Sequence, residues 1–137
     1  MKIENNFPIL KGKQITVHTE GWFDASHYLE NYKGACAQFH GHTYKVEVWV
    51  RGQINQLQEN GILWDFSTLK KMLKKFDHSY LNQDYNENPE ISNNSTAEIQ
   101  ASIIYAKLAY ECPHLQFRVR LYEQIAPKQS YAEIGDF

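Results

Sequence analysis

The chain has 137 residues, 42% of them hydrophobic, and a formal charge of −2 at pH 7, which fits one domain over 1–137 with enough apolar material for a core. No basic block suggests a nucleic-acid partner, and MKIENNFPILKGK at the N-terminus lacks the apolar run of a signal peptide or membrane anchor. Two cysteines, Cys36 and Cys112, are too few for a disulfide framework and read as reduced thiols of a cytoplasmic protein.

In chain order, residues 14–28 (QITVHTEGWFDASHY) are rich in β-branched and aromatic residues and predict a strand, with Gly21 as a bulge or bend. Residues 43–51 (TYKVEVWVR) alternate, so Tyr44, Val46, Val48 and Val50 share one face. From Asp65 the run DFSTLKKMLKKF places Phe66, Leu69, Leu73 and Phe76 at helical spacing, with Asp65 as the cap and four lysines facing water. Residues 82–94 (NQDYNENPEISNN) predict a surface loop. A second helix opens at Ser95-Thr96-Ala97-Glu98, a capping-box pattern, carries the stripe Ile99, Ile103, Ala106, Tyr110, and closes at Pro113. Residues 116–123 put Phe117, Val119 and Leu121 on one face, and 130–134 form a shorter strand. The order β-β-α-α-β-β predicts an α+β fold: a four-stranded antiparallel sheet with two helices on one face.

The chemistry gathers in CAQFHGH, residues 36–42. His40 and His42 are two apart at the entry of the second strand, so both side chains share a face, with Gly41 letting the backbone pass. If the first two strands pair, His27 comes beside them, and three imidazoles with one open position make a catalytic zinc site. An H-x-H pair alone fits ordinary histidines equally well. Cys36 reads three ways: a fourth ligand closing a structural site, a base or nucleophile beside the metal, or an inert thiol. Cys112 has no polar cluster near it in sequence and reads as structural. Asp77-His78 places a carboxylate beside an imidazole, for acid–base work or as a surface ion pair. Glu123 continues the 117/119/121 face, so it lies either past the strand end in water or awaits a ligand rich in N–H donors.

Six segments in order, F-D-A-S-H at 23–27, C-A-Q-F-H-G-H at 36–42, D-F-S-T-L-K at 65–70, D-H-S-Y-L-N at 77–82, S-T-A-E at 95–98 and V-R-L-Y-E at 119–123, resemble the 6-pyruvoyl / 6-carboxytetrahydropterin synthase family. The resemblance covers roughly residues 22–134 and leaves 1–13 as an unmatched extension. It implies zinc on His27, His40 and His42. It also implies Cys36 as the proton acceptor, Asp77 and His78 as acid–base partners, and Glu123 as the pterin anchor within the charge relay. It further implies the tunnelling fold, and a homohexamer of two stacked trimers with active sites at subunit interfaces. Three residues separate Cys36 from H-G-H, as in the 6-carboxy branch that serves queuosine biosynthesis; pyruvoyl enzymes have five. The activity implied is conversion of 7,8-dihydroneopterin triphosphate to 6-carboxy-5,6,7,8-tetrahydropterin, acetaldehyde and triphosphate. The alternatives are a pyruvoyl synthase, which eliminates triphosphate alone, and a non-catalytic zinc-stabilised binding module. Gln124 stands where many members have Thr, and Asn94-Ser95 replaces an Asn-Pro pair.

Overall fold

The computed structural model describes residues 2–27, 29, 32–35, 38, 40–81 and 95–137. Cys36 and the loop expected at 82–94 lie outside the described residues. Two short 3₁₀ turns, Ile3–Asn5 and Pro8–Leu10, precede the first strand. Then follow β1 (Gln14–His27), β2 (His40–Gln53), α1 (Ser67–Lys74), the two-residue β3 (Ser79–Tyr80), α2 (Ala97–Glu111), β4 (Gln116–Gln124) and β5 (Ser130–Gly135). The four expected strands form an antiparallel array in the order β1-β2-β4-β5, and β3 adds a short parallel edge beside β1.

Alternation decides which face is buried. Tyr44, Val46, Val48 and Val50 are fully buried, and Val46, Val48 and Val50 pair directly with Leu121, Val119 and Phe117 of β4. Leu69, Met72, Leu73 and Phe76 of α1 and its C-terminal turn join this core, as do Ala97, Ala101, Ile104 and Leu108 of α2. Both helices therefore cover one face of the sheet, as the pattern predicts. The opposite face is charged and aromatic: Lys45 sits 3.2 Å from Glu20 and 3.6 Å from Glu47, and Arg118 and Arg120 lie over the Trp49 ring.

Three local expectations change. Phe66 is half exposed rather than a core residue, because α1 starts only at Ser67 and its buried stripe is Leu69, Met72 and Leu73. Asp65 does serve the start of α1, accepting from the Ser67 N–H at 2.9 Å. The stripe Ile99, Ile103, Ala106, Tyr110 is not the buried one: its isoleucines are half-buried and Tyr110 is 88% exposed, because α2 is apolar on more than one side and packs through Ala97, Gln100, Ala101, Ile104 and Leu108 instead. Its cap is Thr96, which accepts from Ile99 N–H at 3.2 Å, so the Ser95–Glu98 box does not form. Cys112 is a free thiol packed against the core, and burial pushes its pKa up.

Gly21 makes no bulge. It pairs in regular register with Val46, and a Cβ there would stand 2.7 Å from Leu73 Cδ1. The glycine lets α1 lie close on β1. At Gly41, among the described residues, a Cβ would meet only the Ala25 carbonyl, at an ordinary 3.7 Å. Gly21→Val is therefore expected to lower unfolding stability in urea by about 1–3 kcal/mol through overpacking. Leu73→Ala alone costs about 2–5 kcal/mol. The double variant should lose clearly less than the sum, because the new methyls enter the space that Leu73 vacates; strict additivity would contradict the contact.

Candidate metal centre

The core face of the sheet ends in histidines. His27 pairs across the ladder with His40, and Ala25 with His42, so the antiparallel register itself brings the three imidazoles together. The ring centroids of His27 and His40 are 4.6 Å apart, those of His27 and His42 5.1 Å, and those of His40 and His42 4.6 Å.

Main-chain carbonyls set the direction of two of the rings. His27 Nδ1–H donates to the Ser95 carbonyl at 2.8 Å, and His40 Nδ1–H donates to the Gln38 carbonyl at 2.6 Å. A carbonyl can only accept, so the proton lies on Nδ1 in both rings and the Nε2 lone pairs face inward. Those two Nε2 atoms are 3.0 Å apart. Lone pairs at that distance repel unless a proton or a metal ion lies between them.

Glu123 supplies the fourth group. Its Oε1 lies 3.3 Å from His27 Nε2 and 3.1 Å from His42 Nε2, with the side chain 28% exposed. Glu123 lies within β4 rather than past its end, and its carboxylate turns onto the histidines. The ligand atoms of His27, His40, His42 and Glu123 all lie within 4.8 Å of one another. A tetrahedral ion with ligands at ~2.0–2.1 Å sets neighbouring ligand atoms about 3.3 Å apart, close to the separations found, so the donor set fits zinc. The carbonyls behind the rings are the outer shell such a site needs.

A second group, His18, Glu20 and Glu47, has the same donor types on the other face of the sheet. There Lys45 already provides the cation, and His18 Nε2 is 3.0 Å from Glu47. That group is an ion-pair network.

Asp77 and His78 follow α1 and are tied to β1. The Asp24 N–H donates to Asp77 Oδ1 at 2.9 Å, and the His78 N–H donates to the Asp24 carbonyl at 2.6 Å. This reciprocal grip holds His78 at φ 57°, an uncommon left-handed conformation for a residue with a side chain. The imidazole is 81% exposed, with Nε2 3.5 Å from Asp77 Oδ2. An open groove of about 500 Å³ runs past it, lined by Asp24, Ser26, Gly41, His42, Thr43 and Ser79 among others. Thr43 Oγ1 donates to Asp24 Oδ1 at 2.5 Å. Asp77 thus lies beside His78 and also accepts from the Asp24 backbone, a contact that the sequence did not predict. Ser95, Gln38 and Asp24 act through main-chain atoms and gave no signal in the sequence; only their places inside or beside the motifs mark them.

Asp77→Ala removes the acceptor for Asp24 N–H and should cost about 0.5–1.5 kcal/mol of stability, read by thermal unfolding. Asp77→Asn keeps an acceptor oxygen and should retain most of it. Equal losses would mean that the Asp24 contact is not what Asp77 contributes.

The 6-pyruvoyl tetrahydropterin synthase family model matches residues 16–134. A putative 6-carboxy-5,6,7,8-tetrahydropterin synthase of Pyrococcus horikoshii is 47% identical over 57 residues, 41% of this chain and 34% of that protein. The 6-carboxy-5,6,7,8-tetrahydropterin synthase of Bacillus subtilis is 38% identical over 85 residues, 59% of this chain and 56% of that one. The Synechocystis protein of the same name is 34% identical over 100 residues, 67% of this chain and 73% of that one. The chain thus spans about a third of the Pyrococcus relative it matches and a little over half of the Bacillus one. Among solved structures, the Caenorhabditis elegans 6-pyruvoyl tetrahydropterin synthase superposes with a TM-score of 0.69 at 23% identity, covering 92% of this chain and 98% of that one. The fold is the tunnelling fold that the sequence resemblance implied. With that architecture, and a family match over nearly its whole described sheet, the chain belongs to the 6-pyruvoyl tetrahydropterin synthase family.

Proposed function

We propose that the chain is a zinc-dependent 6-carboxy-5,6,7,8-tetrahydropterin synthase that takes 7,8-dihydroneopterin triphosphate to the carboxypterin, acetaldehyde and triphosphate, in a route to 7-deazapurines such as queuosine. The observation that carries the reading is the convergence of the His27, His40 and His42 imidazoles beside Glu123 at one end of the core face. Family membership supports a pterin as substrate. The three-residue spacing from Cys36 to His40, and the names of the curated relatives, support the carboxy product over the pyruvoyl one.

His27, His40 and His42 would hold the ion. Zinc bound there supplies Lewis acidity toward the side-chain oxygens of the substrate. Ser95 and Gln38 keep two of the ligands in the tautomer that binds. His78 presents its imidazole from the groove beside His42, and Asp77 pairs with it, an arrangement suited to proton transfer. Cys36 is assigned the complementary proton transfer as a thiolate, by its place four residues ahead of His40. Glu123 anchors the pterin, because a carboxylate matches the N–H groups of a guanidine-like ring edge.

Assembly into a hexamer fits the sheet. Among the described residues, the outer side of β1 is paired only at Ala25 and Ser26, and β5 is paired only with β4. Two open edges on one sheet suit closure into a barrel with copies of the same chain.

Mass spectrometry after incubating the zinc-loaded protein with 7,8-dihydroneopterin triphosphate should find 6-carboxy-5,6,7,8-tetrahydropterin with acetaldehyde. Cys36→Ala should keep its zinc and lose at least about 100-fold in turnover, the scale of a general acid–base contribution. A 6-pyruvoyl product would overturn the branch assignment. Absence of turnover, with loss of zinc on Cys36→Ala, would favour the structural zinc module.

A further inference from the structure

Four donor groups meet at the metal centre, but the backbone holds them differently. His27 pairs with His40 and His42 with Ala25, all inside the unbroken β1–β2 ladder. The His27 ring is buried and bonded to Ser95, and the His40 ring is bonded to Gln38. The His27 and His40 rings cannot turn away without breaking those hydrogen bonds, while His42 is placed by its backbone in the ladder. Glu123 is placed otherwise. Pairing of β4 with β2 runs only as far as Tyr122 and Lys45. Pairing of β4 with β5 passes from Tyr122 to Gln124 through a register irregularity that skips Glu123. Its backbone is thus outside both ladders, on a side chain with three rotatable bonds, and it is more exposed than His27 or His42.

From this contrast we infer that Glu123 is a releasable fourth ligand: it caps the metal when no substrate is present and leaves it when a pterin binds. The inference rests on the pterin reading for the identity of the displacing molecule, but the cap itself does not. The chemistry is an exchange of partners for one carboxylate. In the free protein its Oε1 would serve as the fourth donor beside the three histidines. A ligand with adjacent ring N–H donors offers two parallel hydrogen bonds in return and opens one position on the metal. Substrate binding and metal opening are then one event. The free enzyme does not expose an open metal position to water or stray thiols, and the open position arises only with a pterin in place. The device also answers what fills the fourth position in the free state, for which Cys36 was the other candidate.

The test uses the full chain loaded with cobalt(II) in place of zinc, and unsubstituted pterin, which has the ring edge but no side chain at position 6. Visible absorption reports the cobalt coordination sphere, near-ultraviolet charge transfer reports a thiolate ligand, and pterin fluorescence reports binding. The wild type should show no thiolate band, and saturating pterin should change its visible spectrum. Glu123→Gln should bind the metal at least about tenfold more weakly in chelator competition, as expected when a charged ligand is lost. Its spectrum without pterin should resemble that of the pterin-bound wild type. A thiolate band in the wild type, an unchanged spectrum and affinity in Glu123→Gln, or pterin bound with no spectral change would each overturn the inference. A weakened Glu123→Gln with no pterin binding to either protein would support the cap while overturning the pterin assignment. If Glu123→Gln does not fold, the two wild-type readings decide the matter.

Discussion

The hydrogen bond from His27 Nδ1–H to the Ser95 carbonyl spans 68 residues of sequence, and the site depends on it. It joins the end of β1 to the residue before the α2 cap, so it fixes the helix start and the imidazole together. Because the carbonyl can only accept, the ring has one neutral tautomer, and its Nε2 lone pair points at His40 and Glu123. The bond from His40 to Gln38 does the same from the other strand. Fold and site share atoms here: the main chain that caps and turns the elements also orients the ligands.

The sheet explains why these groups meet at one end. Its core face runs from Val50 through Val48, Val46 and Tyr44 to His42 and His40 on β2, and from Phe117 through Leu121 to Glu123 on β4. Apolar pairs fix the register along most of that face, and a slip by one residue would turn every one of them outward. The same register carries the polar residues at its end into contact. Packing thus holds the donor groups together despite their mutual repulsion when no cation is present.

Much of this was legible in the sequence, for identifiable reasons. Period-two alternation in TYKVEVWVR and QFRVRLYE identified the buried face, and H-x-H on that period put both histidines on it. The oddity of Glu123, a carboxylate following three apolar residues, pointed toward the site. What stayed hidden depended on neighbours distant in sequence. Gly21 looked like a bend because its partner in contact, Leu73, lies on α1. The stripe Ile99, Ile103, Ala106, Tyr110 of α2 looked like a core stripe because the helix is apolar on several sides, and only the sheet selects among them. Ser95 and Asp24 act through main-chain atoms, which any residue type carries, so composition could not single them out.

The fold presets the His27 and His40 tautomers before any metal arrives. Long-range proton–nitrogen NMR correlation on the metal-stripped, nitrogen-15-labelled protein reads the tautomer of each imidazole directly. The expected result is the Nδ1–H form at His27 and His40, with Nε2 unprotonated in the neutral rings. Nε2–H tautomers at either position in the metal-free protein would show that the metal, and not the carbonyls of Ser95 and Gln38, orients the site.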